Sequence, residues 1–493
     1  MDTRKALLAA TIVALQGSSV AWASRPHGEI VISNDPTQNM TCSAGVCSPT
    51  NFHAVLNVTD LENLLAASDL TVSTQFLVGH RYKDVRNIRI AAPLSWSTVS
   101  KLSLGGTYGA YVKIDAPVSV LGGGGLVISG GAAFVEGIAV TFSSTNSVFS
   151  IGGHAYTLAA DFPTLASGIT ANPSGYFALA GDYDAANDQF SKAPIESFSG
   201  VFLGLGHTIS DLTIQKGRKL CQGMIAANQG YISYFSLSNL TVLLDRSSQH
   251  VGGVTGCNGG SISHVAVSGQ ISGSGQADAG GVAGINDAAS IALTRSSATV
   301  RGGQAGGIAG QNDWYIYDSF ASGSVNGVID SGGLVGNNSY DIESSYATGS
   351  VSGSKNNTGG FAGSNRGSIT NSYAMGSVNG AGGAAGGFVG YNVGSVEYAY
   401  SIGAVTGSKK YTGGFAGYDA NEAIDTAYWD VDTSGFSNRG DGAGFPKYDP
   451  GITGLTSNKL QSGLPTGFDK RYWRQNSAIN GGYPFLRDNP PQQ

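Results

Sequence analysis

The stretch GGLVGNNSYDIESSYATGSVSGSKNNTGGFAGSN, residues 332–365, holds one complete unit of a repeat and the opening of the next. That opening recurs as GGVTGCN, GGVAGIN, GGIAGQN, GGLVGNN, GGFAGSN, GGFVGYN and GGFAGYD, beginning at Gly252, Gly280, Gly306, Gly332, Gly359, Gly386 and Gly413. Successive starts lie 28, 26, 26, 27, 27 and 27 residues apart. Self-similarity at such a period marks a solenoid, in which one repeat cannot bury its apolar face alone and needs neighbours stacked on both sides.

The content of a repeat says which solenoid. Its segments are short, apolar and alternating, bounded by Gly, Asn and Ser, and none sustains a helical period. At about 3.3 Å per residue, 26–28 residues make three short strands and three corners. The expected fold is all-β, a right-handed parallel β-helix, and rungs about 4.8 Å apart would make seven copies a rod roughly 30 Å long. Six residues after each first Gly stand Asn258, Asn286, Asn312, Asn338, Asn365 and Asn392, with Asp419 closing the series. Asn tolerates a left-handed backbone and suits a tight corner, and coils stacked in register would align these amides as a ladder. Phe320, Tyr346, Tyr373 and Tyr400 recur at a second fixed offset, one aromatic per coil to stack on the next. Length varies in one place, in GVIDSGG, GSKNNTGG, GAGGAAGG and GSKKYTGG. Insertions at one point per coil emerge on one edge, which becomes the expected contact surface, with solvated corners as the alternative.

Outside the repeats the chain divides further. Residues 1–23 read as a signal peptide: Arg4 and Lys5 precede an apolar run from Ala6 to Leu15, and Ala21-Trp22-Ala23 supplies a cleavage site. No later stretch reaches the roughly 18 apolar residues of a transmembrane helix, so the expectation is a secreted or cell-surface protein without a transmembrane anchor. Formal net charge is −6, and loss of Asp2, Arg4 and Lys5 removes +1 and leaves −7. That argues against nucleic acid as a partner. With 75 glycines among 493 residues but 41% apolar residues, the chain is Gly-rich yet able to pack. Residues 24–130 read as an N-terminal solenoid segment, where IRIAAPLSW at Ile88 and VKIDAPVSV at Val112 superimpose and Ala-Pro marks a corner. Thr59-Asp-Leu-Glu62 has a capping-box pattern and opens a short helix suited to covering an open edge. Residues 131–197 read as a mixed connecting region, 198–429 as the repeat solenoid, and 430–493 as a C-terminal cap whose aromatics would cover the last coil. Cys42 and Cys47 are placed to close a small loop in an oxidising compartment. Cys221 and Cys257 belong to neighbouring coils, but their differing offsets weigh against a bridge.

The run from Gly252 to Trp429 resembles the GLUG repeat, named for its Gly-Leu-aromatic-or-small-Gly core. FSGVFLGLGHTISDLTI at Phe198 resembles the segment that leads into such repeats, and AYWDVDTSG at Ala427 with INGGYPFL at Ile479 the tail that follows them. The two Ala-Pro strands resemble those of secreted exoproteins of the filamentous-haemagglutinin type. These resemblances imply an exported adhesin that meets host or cell-surface glycans or proteins and crosses an outer membrane with a secretion partner. No NPNL-like secretion signature is present, Asn172-Pro-Ser-Gly being a loose echo.

Catalytic motifs are missing: no GxSxG, HExxH or GxxxxGK[ST] occurs, and the seven histidines are scattered. Asp182 and Asp184 alternate along a strand, and His207 reads as a corner residue. The expectation is a chain that is not an enzyme and holds no cofactor, with a polysaccharide lyase or hydrolase, or the stalk of a larger exoprotein, as alternatives. Asp430, Asp432, Ser434, Asn438 and Asp441 fall at ligand positions of a calcium loop, which raises weak calcium binding against the competing reading of a plain turn. Arg439-Gly440-Asp441 overlaps that loop as an integrin-type tripeptide.

Overall fold

The computed structural model describes residues 28–78, 81–106, 110–215, 217, 219–244, 249–408 and 410–492. The signal peptide assigned to residues 1–23 lies outside them. The protein is a parallel β-solenoid with 7% helix and about 27 residues per turn. It divides into two compact units, one of Met1–Leu165, Gly175–Tyr183 and Val201–Thr208, the other of Ala166–Ser174, Asp184–Gly200 and Ile209–Gln493.

In the first unit, three sheets are wound from short strands that alternate buried and exposed residues. Asn87–Ile90, Tyr111–Ile114 and Ala132–Phe134 stack in one sheet, Leu94–Trp96, Val118–Val120 and Val140–Phe142 in another, and Lys101–Leu104, Gly125–Ile128 and Val148–Ile151 in a third. Ile88 pairs with Val112 and Leu94 with Val118, so the two Ala-Pro segments lie in register. Each proline falls between strands, where its missing N–H breaks no ladder. In residues 131–197, where the sequence suggested a mixed region, parallel rungs run on through Val148–Ile151, that strand also pairs antiparallel with His154–Ala155, and the helix Phe162–Ala171 follows. The helix Val58–Ala67 is present, but Asn57 is its cap rather than Thr59, accepting from the N–H groups of Thr59 and Asp60. Glu62 is thereby free for another task. Its carboxylate accepts the Ser95 N–H at 2.8 Å, while Asp69 accepts that of Lys101, so acidic side chains satisfy donors that an outer turn would otherwise take. Cys42 and Cys47 face each other across a hairpin and are joined by a disulfide.

The second unit contains the repeats. Each turn contributes one strand ending in the periodic Asn, such as Val335–Asn338, to a ten-stranded sheet and one Gly-ending strand, such as Ser331–Gly332, to an eight-stranded sheet. The remaining strands join a third, larger sheet. The Gly-Gly pair is required by close approach. A Cβ on Gly332 would stand 2.0 Å from the Val335 carbonyl oxygen, and one on Gly333 2.1 Å from that of Gly360 in the next turn. The corner is therefore tighter than any side chain allows.

The Asn series forms a continuous buried ladder. Each Nδ2 donates to the next Oδ1 at 2.8 Å from Asn258 through Asn392, and Asn392 donates to Asp419 at 3.0 Å. Asn228 extends it by one rung upstream. The second N–H turns back to the carbonyl two residues on, as from Asn338 to Tyr340 at 2.7 Å. These asparagines sit in strands, and none has positive φ. The left-handed residue of each turn is instead one of Tyr234, His264, Leu293, Asp318, Ser344, Asn371, Tyr398 and Thr426. What fixes Asn at these positions is the satisfaction of a buried amide on both sides, not corner geometry.

Aromatic rings stack likewise, with Phe320, Tyr346, Tyr373 and Tyr400 successively 4.6, 4.7 and 5.1 Å apart. A second stack, Phe361, Phe388 and Phe415, is wholly buried. The C-terminal tail differs from the expectation that it covers the end of the coil. Trp429 takes the register position held by Ser401 one turn earlier and packs on Gly414, and Ala443–Phe445 and Ile452–Leu455 add one more rung beyond it. From residue 456 onward the tail folds back along the flank and buries the tyrosine stack under Leu460, Phe468, Trp473, Tyr483 and Leu486. It is pinned there by bonds from Tyr400 Oη to the Pro484 carbonyl and from Trp473 Nε1 to Asn371 Oδ1.

Candidate binding groove

The edge at which repeat length varies carries a groove of about 480 Å³. Its floor comes from a V-x-G strand in each turn. In Thr299–Gly302, Val325–Gly327, Val351–Gly353 and Val378–Gly380 the valine is buried and stacks on its counterparts, at roughly 1.5–3 kcal/mol for each buried side chain. The glycine leaves room for the following strand, since a Cβ on Gly327 would meet Ser331 Oγ at 2.1 Å. With its neighbours turned inward, the middle residue points out. Ser272, Arg301, Asn326, Ser352 and Asn379 therefore pair in sequence as an outward ladder. Over five turns at about 4.8 Å spacing it runs roughly 20 Å. Val328, Ser354 and Ala381, at the start of the variable segments, form one wall.

The surface sets the ladder's polar side chains among glycines, Val328 and Ala381, and two of its polar groups are used by the protein: Asn379 accepts from Thr406 and Ser354 donates to the Gly327 carbonyl. Among the described residues, the side chains of Arg301, Asn326 and Ser352 have no hydrogen-bond or ion-pair partner. The described lining contains no carboxylate, histidine or aromatic ring. Such a trough offers hydroxyl, amide and guanidinium groups at a fixed repeat to an extended ligand.

Other residues singled out from sequence are placed elsewhere. His207 is buried, with Nδ1 3.2 Å from Asp182 Oδ1 and Nε2 3.0 Å from the Val140 carbonyl, a structural corner. Asp184 accepts the Ala186 N–H. The calcium-loop residues are spent on protein donors. Buried Asp430 accepts from Ser457 Oγ at 2.6 Å, Tyr483 Oη at 2.8 Å and the Asp432 N–H at 2.8 Å, and Asp432 accepts the Ser457 N–H. Ser434 bonds within its own turn, and Asn438 caps the 3-10 turn Arg439–Gly442. Asp441 pairs with Lys447 at 2.7 Å. Among the described residues no three His, Cys, Asp or Glu side chains gather into a group that could hold a metal ion. Arg439-Gly440-Asp441 lies in that same turn, with Gly440 buried against the Tyr448 ring. Cys221 and Cys257 are joined despite their different offsets, with Cα atoms 5.5 Å apart. The missing side chain of Gly256, within the strand Thr255–Asn258, explains this: a Cβ there would lie 2.6 Å from the carbonyl carbon of Cys221. No described helix is long and apolar enough to cross a membrane.

By fold, then, the chain is a parallel β-solenoid with a groove along one edge into which a ladder of polar side chains projects. No family model matches it, and no curated protein sequence does. Solved structures that resemble it include two proteins named for a protease. One is a candidate immunoglobulin A1 protease from Bacteroides ovatus, at 19% identity and a TM-score of 0.40, covering 68% of this chain and 92% of that one. The other is named IgA1 protease, at 19% identity and a TM-score of 0.35, and the match covers 54% of this chain and 21% of that one. The expectation that this chain is not an enzyme is corrected on this finding, since both similar structures carry the name of a protease. The name is theirs and assigns no reaction to the residues described above.

Proposed function

We propose that the protein is exported and acts at or beyond the cell surface as an adhesin, holding an extended polar polymer in the groove formed by the V-x-G strands. The observation that carries this reading is the outward ladder from Ser272 to Asn379, whose hydrogen-bonding groups repeat once per turn while Arg301, Asn326 and Ser352 remain unengaged by the protein. A folded chain has no need of such groups for its own stability. A polymer laid along the solenoid would meet each of them in turn, so that weak single contacts add along its length. The GLUG-like repeat and the signal-like first 23 residues support the same reading. The test is binding of residues 24–493 to immobilised glycans and host matrix proteins, beside the variant Ser352→Trp, which fills the middle of the trough. Retention by the parent chain and loss in the variant at unchanged melting temperature is expected. Equal retention by both would place the contact surface elsewhere.

A further inference from the structure

The exposed charges along the groove edge differ from those of the chain as a whole. The chain has 33 acidic and 27 basic residues. Between Gln270 and Thr412, the described charged residues on the V-x-G strands and the segments that follow them are Arg301, Lys355, Lys410, Asp278 and Asp330. The three cations are exposed. Both acids are buried and held by the protein: Asp278 by His250 Nδ1 at 2.9 Å and Gln304 Nε2 at 2.8 Å, Asp330 by Asn357 Nδ2 at 2.9 Å. Arg301 lines the groove directly, and Lys355 follows Ser354 of its wall. Lys410 lies over the Tyr411 ring at 4.9 Å, in the second segment beyond that of Lys355. A protein that is acidic overall thus presents a cationic rim at its one variable edge.

We propose that the groove selects an anionic glycan, a polysaccharide bearing carboxylate or sulfate groups, over a neutral one. This rests on the groove being a polymer-binding surface and names the chemistry of the polymer. The amide and hydroxyl ladder meets sugar hydroxyls, and the cations meet the acidic substituents through charge-assisted bonds about twice as strong as neutral ones. The acidic remainder of the surface repels polyanions elsewhere, which confines attraction to this edge. Nucleic acid fits less well, because no described lining residue is an aromatic ring on which a base could stack.

Affinities of residues 24–493 for polygalacturonate, dextran sulfate, unmodified dextran and single-stranded DNA, each at low and high salt, test the proposal. The parent chain is expected to prefer at least one of the two anionic glycans to dextran by about tenfold, with the preference shrinking in salt. Arg301→Gln with Lys355→Gln and Lys410→Gln should bring anionic and neutral glycans level at unchanged melting temperature. Preference for polygalacturonate alone assigns carboxylate, and for dextran sulfate alone sulfate. Equal binding of anionic and neutral glycans by the parent chain would overturn the charge selection and leave the groove reading standing. Binding of none of the four would overturn both. Single-stranded DNA bound as tightly as the best glycan, or a preference that persists in the triple variant, would also refute the assignment.

Discussion

The last rung of the Asn ladder carries a testable electrostatic cost. Asp419 accepts from Asn392, is 1% exposed, and has a second carboxylate oxygen without a protein donor. Beside it lies Asp449, 5% exposed, whose carboxyl is raised from 3.8 to about 6, first because burial strips its hydration and then because Asp419 adds a second negative charge. A rise of that size corresponds to ~3 kcal/mol of folding free energy. The folded pKa lies above the unfolded one, so the stabilisation is complete below pH 3.8 and is lost as pH rises through about 6. Asp419→Asn would restore the residue found at every earlier rung, keep the bond from Asn392, and offer Asp449 an N–H in place of a charge. Burial of Asp449, the larger cause, remains, so the variant should recover the smaller part of the loss, about 1 kcal/mol at pH 8, and almost nothing at pH 4. Urea denaturation of parent and variant at pH 4, 6 and 8 measures this directly. A variant less stable than the parent at pH 8, or one with the same dependence on pH, would refute the coupling of the two carboxyls.

Three further outcomes follow from the same packing. Asn338→Ala removes the acceptor of Asn312 and the donor to Asn365 inside the core, and should cost about 2–4 kcal/mol in urea melts. Replacing Cys221 and Cys257 together by Ser opens a link of sequence separation 36 and should cost about 4 kcal/mol in urea melts, an effect a reducing agent should reproduce in a chain that already lacks Cys42 and Cys47. Trp473→Ala empties the centre of the contact between the tail and the tyrosine stack, for about 3–5 kcal/mol. Because the tail lies on the flank, limited proteolysis should then cut between residues 456 and 490 before it cuts the repeats.

The fold was legible because periodic constraints leave periodic residues. Gly332 and Gly333 must lack side chains, Asn338 must carry both a donor and an acceptor, and Tyr346 must be a flat ring, once per turn, so spacing alone gave the stacking. What spacing could not give was the cause at each position. Asn was read as a corner residue, yet the left-handed positions hold Tyr, His, Leu, Asp, Ser, Asn and Thr, a mixture with no sequence signature. The covering of the tyrosines was equally hidden, since the tail has no period and its contacts reach back up to 170 residues, as from Asn489 to Ser319. The Cys221–Cys257 link escaped for a related reason: offset along the chain is a poor measure of distance where Gly256, lacking a side chain, lets its strand pass within contact of the strand Cys221–Gln222.

The groove follows from the reverse of that logic. A V-x-G strand fixes its first and third residues by packing and leaves the second to vary, so Ser272, Arg301, Asn326, Ser352 and Asn379 are the positions where composition can change without disturbing a turn. The variable segments beside them are equally unconstrained by the core. Ligand-reading side chains can be exchanged at such positions while the coil beneath stays the same. That the charges left exposed there are cations, while Asp278 and Asp330 are folded inward, is a choice the packing did not impose. Exchange of Arg301 for Gln should accordingly leave the urea midpoint unchanged within error, because its guanidinium bonds to nothing in the described structure. A clear loss of stability in Arg301→Gln would mean that the side chain serves the fold, and that the edge was not free to be tuned for a ligand.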